Sequence, residues 1–357
     1  MSDRAGQLAA QLPAAGVDAL LVSALPNVRY LTGYSGSNGL ALITPQGRDF
    51  VTDFRYVEQA AVEVDPSFTR HRAAQNLLQI VPELLAGAAL RLGFEADHMS
   101  FSTHRRLAEL CGAGVELIPT SGLVEALRAV KSPEEVQRLR AATLLADEAL
   151  ERLLTEGLIG RTERELALGL ESHMRAVGAE RPSFDTIVAA GAHGALPHAQ
   201  PRDVAIEAGQ LVVLDWGAQL DGYCSDCTRT VATGELEPEA REVYALVLAA
   251  QLDGLAAVRA GAAGLDVDAV PRARIADGGY AEHFGHGLGH GVGIEIHEAP
   301  RLSMSSEDTL VVGNAVTVEP GIYLPDRFGV RIEDLVVVTE DGCEILTTVP
   351  KDLRTVG

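Results

Sequence analysis

Lysine is nearly missing from this chain: of 357 residues only Lys131 and Lys351 carry it, a composition bias to which we attach no function. Basic residues as a whole are outnumbered 29 to 50 by acidic ones, for a net charge of −21. Without a local basic cluster to set against that charge, nucleic acid is excluded as an expected partner. Cysteine is also scarce. Four residues in a chain this long make no disulfide framework, which points to a reducing cytosol and a cytoplasmic protein. Cys224 and Cys227 form one CxxC, but a structural zinc site needs a second ligand pair, and Cys111 and Cys343 are scattered. Small residues filling a strand are the simpler reading. No apolar run approaches the ~18 to 20 residues of a membrane span. The N-terminus mixes Gln, Pro and Asp18 into its apolar stretch and so lacks the continuous core of a secretion signal.

What is present is a globular composition, 47% apolar, in a chain too long for one ordinary core. Two domains are expected, with a boundary near residue 125: residues 1–125 and 126–357. In the first, "DALLVSA", "LALITPQGRDFVTD", "RLGFEA" and "VELIP" read as strands. "FRYVEQAAVEV" and "HRRLAELCG" read as helices, making an α/β domain. The second domain opens on "LVEALRAV" and "SPEEVQRLRAATLLADEALERLLTEG". Here Ser132 is a good N-cap, Pro133 suits the first turn and Glu135 falls at the capping-box position.

Further on, "QLVVLDWGAQLDGYCSDCTRTVATG" reads as two strand runs about an Asp-Gly turn. In a hairpin with an even-numbered loop, paired residues differ by an odd number. Asp215 and Asp226, eleven apart, then share one face. Two ionised carboxylates facing each other need a shared proton or a cation. "VTVEPGIYLPDRFGVRIEDLVVV" adds Glu319 after one apolar strand run and Glu333 within the next. Burying such acids bare costs several kcal/mol, and Arg331 alone cannot neutralise four of them. Four of the ten histidines crowd into "HFGHGLGHGVGIEIH". Two Asp, two Glu and at least one His suit two divalent cations held by bridging carboxylates, with Mn²⁺, Co²⁺ or Zn²⁺ favoured over a thiolate-bound metal.

The ordered set "LDWG", "SDCTRT", "GHGVGIEIHE", "VEPGIY" and "VRIED" resembles the pita-bread metallopeptidases. "NVRYLTGYSGSNG", "DFRYVEQA" and "VKSPEEVQRLRAA" resemble the creatinase-type N-terminal domain and linker of prolidases and aminopeptidase P. The resemblance implies an α/β N-terminal domain plus an α+β pita-bread C-terminal domain. It implies the metal ligands Asp215, Asp226, His290, Glu319 and Glu333, with two divalent ions, Mn²⁺ first among them, activating water. His198, His286 and His297 match positions lining the substrate pocket, whereas His283 has no such match. His198 and His297 would donate to the polarised carbonyl and Glu319 would carry the proton to the departing amine. Tyr323 and Arg331 would orient Asp215 and Asp226. The glycines beside His290 would let backbone pass close to the metal.

The implied reaction is hydrolysis of the Xaa-Pro bond, whose missing N–H forces recognition of the proline ring by shape. Arg301, four residues beyond His297, matches an arginine that holds the free carboxylate of a dipeptide, so Xaa-Pro dipeptides are expected over longer peptides. Aminopeptidase P activity on longer Xaa-Pro peptides is the alternative. A metal-free creatinase-like hydrolase and a non-catalytic peptide-binding module are both disfavoured by five intact ligands. A methionine aminopeptidase would not usually carry the N-terminal domain. Relatives are commonly homodimers, which sets the expectation for this chain. Cys227, where a larger apolar residue is usual, and Leu335, where Thr is usual, depart from the family pattern.

Overall fold

The computed structural model describes residues 3–85 and 90–357. Its contacts divide the chain into two units, residues 1–128 and 129–357.

The first unit is built on a six-stranded mixed sheet. Ala19–Val22 lies near its middle, parallel to Leu90–Glu95 and antiparallel to Leu40–Ile43. Both central strands are apolar and buried along their whole length, as a sheet covered on two faces requires. The run "LALITPQGRDFVTD" is a hairpin of Leu40–Ile43 and Arg48–Asp53. Beyond it, Thr69–Ala73 forms the sheet's edge. That strand is "TRHRA", too polar to read as a strand from its pattern, and its charges suit an exposed edge. "FRYVEQAAVEV" begins as a 3₁₀ turn, Phe54–Tyr56, before the helix Val57–Glu63.

The second unit twice sets a pair of helices against antiparallel strands. The helices are Pro133–Thr155 with Glu163–Ala176, and Pro238–Ala257 with Gly264–Asp277. Pro133–Thr155 starts where the sequence predicts: Ser132 Oγ accepts from the Glu135 amide and the Glu135 carboxylate accepts from the Ser132 amide. Trp216, fully buried, anchors its strand, Leu211–Trp216, to this helix by donating to the Ala146 carbonyl at 2.9 Å.

The predicted hairpin is present. Asp221 and Gly222, with φ of 49° and 80°, make the two-residue turn, and both positive angles are what a type I′ turn demands. Each arm is interrupted, giving Leu211–Trp216 and Ala218–Leu220 going out and Tyr223–Cys224 and Cys227–Ala232 returning. A five-stranded sheet holds Glu298–Leu302, Gly289–Gly291, Ala315–Val318, Asp334–Val338 and Cys343–Ile345 in that order. Gly321–Leu324 and Phe328–Arg331 form a separate two-stranded ribbon. No helix among the described residues is long and apolar enough to cross a membrane.

Candidate metal centre

Three of the four acids sit where strands break, while Asp215 lies within the strand Leu211–Trp216. Asp226 lies in the gap between Tyr223–Cys224 and Cys227–Ala232, and Glu319 between Ala315–Val318 and Gly321–Leu324. Glu333 is not inside a strand, as the sequence suggests, but between Phe328–Arg331 and Asp334–Val338. At these breaks the chain passes from one sheet to another, so a polar side chain can turn inward without displacing an apolar one. Cross-strand register supplies the rest. Asp215 pairs with Thr228, which puts Asp226, two positions before Thr228, on the same face as Asp215. Oxygens of Asp215, Asp226 and Glu333 lie within 4.8 Å of one another. Nε2 of His290 is 3.5 Å from both an Asp226 and a Glu319 oxygen.

Ten of the eleven residues singled out from sequence line one cavity of about 940 Å³. Tyr323 stands just behind it, and the chain of donors through its hydroxyl fixes several partners at once. The Arg331 guanidinium donates to Asp215 at 2.7 Å, to Thr228 Oγ1 at 3.0 Å and to the Tyr323 hydroxyl at 3.0 Å. That hydroxyl lies 2.9 Å from Nε2 of His286, whose Nδ1 faces the Gly287 carbonyl. Both nitrogens of His286 are thus engaged within the protein, and it offers the cavity a ring face. Among the described residues no hydrogen bond joins Arg331 or Tyr323 to Asp226; their orienting contacts go to Asp215 and His286. His283 stays apart, its ring against the Tyr323 carbonyl. His198 and His297 are exposed in the cavity, with no hydrogen-bond partner among the described residues.

The glycines beside His290 admit close backbone neighbours. A Cβ on Gly289 would fall 2.0 Å from the Thr317 carbonyl oxygen, and one on Gly291 would fall 2.2 Å from that of Ala299. They admit neighbouring strands on either side, which is what presses His290 into the cluster. Two site residues escape a motif-based reading. Thr228 donates to Glu333 at 2.7 Å, and Thr317 donates to Glu319 at 3.0 Å while accepting from the His290 amide. Each lies two residues from a ligand on the same strand face, so alternation alone would have found them.

Electrostatics make this cluster costly without a cation. Burial, followed by the neighbouring carboxylates, pushes the Asp226 and Glu333 carboxyls well above their ordinary range. Burial raises Asp215 against the pull of Arg331, and raises Glu319 to about 7. It also depresses His290 to about 3, so the ring is neutral at pH 7. Nδ1 of His290 is 3.1 Å from the Gly291 carbonyl, which holds the proton there and leaves the Nε2 lone pair facing the acids. Oδ1 of Asp215 is buried and accepts nothing among the described residues. An orphaned anionic oxygen, three further acids and an imidazole lone pair fit divalent metal. The CxxC thiols do not compete: both are buried, and desolvation pushes Cys224 up to about 11 and Cys227 well above its ordinary value.

Residues 137–340 match Metallopeptidase family M24, and residues 4–130 match the Creatinase/Prolidase N-terminal domain. The chain belongs to family M24. It is therefore a hydrolase of a dinuclear metal-dependent peptidase family, with a creatinase-type N-terminal domain and a pita-bread C-terminal domain. It is 44% identical to "Uncharacterized peptidase YqhT" of Bacillus subtilis, over 95% of this chain and 96% of that one. The Xaa-Pro dipeptidase from Bacillus anthracis superposes with a TM-score of 0.96 at 42% identity, covering 99% of each chain. The X-Pro aminopeptidase from Thermotoga maritima gives 0.92 at 37% identity, covering 99% of this chain and all of its own.

The raised carboxyls set a pH dependence for the M24 site. Above about pH 7.5 His286, His290 and His297, whose basicity burial depresses in the folded protein, are neutral in folded and unfolded chains alike. Among the carboxyls, only the folded protein's raised ones then keep protons, so the folded state binds more of them and loses stability as pH rises. The metal-free protein should show a Tm that falls from about pH 7.5 to 9, and a saturating divalent cation should remove the slope. A flat or rising Tm in scanning calorimetry of the metal-free protein would contradict the assignment of these carboxyls.

Proposed function

We propose that this M24 enzyme is an Xaa-Pro dipeptidase using two divalent ions, Mn²⁺ foremost, with Co²⁺ or Zn²⁺ as substitutes. Asp215, Asp226, His290, Glu319 and Glu333 would hold them. When bound, the ions supply a water activated near neutral pH and a Lewis acid for the scissile carbonyl. The chain's own groups do the rest. Arg331 keeps Asp215 turned toward the cluster, and Thr228 and Thr317 do the same for Glu333 and Glu319. His198 and His297, unengaged in the cavity, donate to the carbonyl oxygen and to the charge that develops on it. Glu319 holds a proton within the cluster and delivers it to the departing proline nitrogen.

The observation that carries the dipeptidase reading is Arg301. It lies directly opposite His290 in the register of Gly289–Gly291 with Glu298–Leu302, so the two side chains share a face, and it lines the same cavity. Its guanidinium has no ion-pair partner among the described residues. A fork of donors beside the metal cluster suits the free carboxylate of a dipeptide, which an internal peptide group does not provide. The proline preference is supported by the names of the relatives. Their division between dipeptidase and aminopeptidase leaves Arg301 as the discriminating feature.

For the test, kcat/KM is compared on an Xaa-Pro dipeptide, its C-terminal amide and an Xaa-Pro tripeptide. The dipeptide should lead, and Arg301→Ala should cost it about tenfold or more through KM while leaving the amide unchanged, as loss of one charge-assisted clamp implies. If the tripeptide is cleaved as well as the dipeptide and Arg301→Ala changes nothing, the enzyme is an aminopeptidase.

A further inference from the structure

Glu163 opens the helix Glu163–Ala176 and is 1% exposed, yet it does not serve that helix: the cap is Thr162, and the capping-box glutamate is Glu165. Its carboxylate instead collects five donors from one loop. The Ala190 amide reaches it at 3.0 Å and His193 Nδ1 at 2.9 Å. Arg202 supplies its amide at 2.9 Å, Nε at 3.1 Å and Nη2 at 3.0 Å. Ala190 ends the strand Ile187–Ala190, His193 lies in the turn that follows, and Arg202 is where the chain returns to pair with residues 160–164. Both ends of the loop 190–202 are therefore tied to one carboxylate, and His198 lies between them.

The loop has a second tether. Arg331, which grips Asp215, also donates to the Pro197 carbonyl at 3.2 Å. Gly194 meets Gly329 backbone to backbone, so closely that a Cβ on Gly329 would fall 1.9 Å from the Gly194 oxygen. The middle of the loop is thus keyed to the metal cluster and its two ends to Glu163. Burial works against the charge on Glu163, but the Arg202 and backbone donors outweigh it and keep the carboxyl below its usual range. Loops need such anchors to hold a catalytic group, since a misplacement of about 1 Å can cost on the order of 10²-fold in rate.

We infer that Glu163 is a positioning residue for catalysis, setting the place of His198 by holding both ends of the loop 190–202. This rests on the reading of His198 as a donor to substrate. Glu163→Gln keeps the shape but loses the charge and offers an N–H₂ where acceptors are required. It should lower kcat about tenfold with KM and metal content nearly unchanged, less than the ~10²-fold or greater cost of deleting a donor outright. Because it acts through His198, its cost should vanish in a His198→Ala background. Hydrogen exchange should rise over residues 190–201. Arg202→Met, at a side chain 46% exposed and so tolerant of change, carries the same cycle should Glu163→Gln fold poorly. If His198→Ala is as active as wild type, the reading of His198 falls. If His198→Ala is impaired but Glu163→Gln is silent, or costs as much in its presence as in its absence, the inference about Glu163 falls alone.

Discussion

Glu333→Ala should yield a folded protein that has lost Xaa-Pro hydrolysis by about 10³-fold or more. Metal contributes several kcal/mol of transition-state stabilisation, and each 1.36 kcal/mol is a factor of ten. Glu333 is buried, receives Thr228 at 2.7 Å and lies across from Glu319, whose charge is the largest repulsion it meets after burial itself. Removing it takes away a ligand and also relieves that repulsion. The metal-free variant should therefore be no less heat-stable than metal-free wild type, while the rise in Tm that cations give the wild type should shrink or disappear. Thermal scans with and without Mn²⁺, set beside turnover, check both halves. A variant that still hydrolyses Xaa-Pro dipeptides at near the wild-type rate would remove Glu333 from the site.

The pocket histidines should behave in the opposite way. His198→Ala and His297→Ala should each keep their metal and lose about 10² to 10³ in kcat, the cost of one donor aimed at developing charge. His297 packs edge-on against His290 at 4.4 Å between ring centroids, so it stands beside a ligand. Burial and nearby Arg301 depress its basicity, which makes it a neutral donor at pH 7. Elemental analysis of the purified variants separates the roles: loss of metal along with activity would make either residue a ligand or a ligand's support.

Much of this centre is legible in the chain because its residues are costly where they stand. Asp215, Glu319 and Glu333 sit among Val and Ile, and only pairing or a cation makes that tolerable. The Asp221-Gly222 turn fixes the hairpin register, and parity then places Asp215 and Asp226 together. Ser132 and Glu135 announce the start of the long helix in the same local way. What pattern could not supply lies between elements. Glu333 reads as part of an apolar run, and only the change of sheet at Ile332 shows that the strand has stopped. The crowding that requires Gly289 and Gly291 comes from Thr317 and Ala299, on other strands. Glu163 reads as an acidic first-turn residue, a common helix feature, because its partners at 190, 193 and 202 are distant in sequence and mostly backbone or surface groups.

The most direct test of the account titrates metal-free protein with Mn²⁺ while bound metal and Xaa-Pro dipeptide hydrolysis are measured in the same samples. Activity should be absent at the start, follow occupancy, and saturate as about two ions per chain are bound, the number a carboxylate-bridged pair requires. Full hydrolysis in a sample that elemental analysis shows to be free of metal would contradict it.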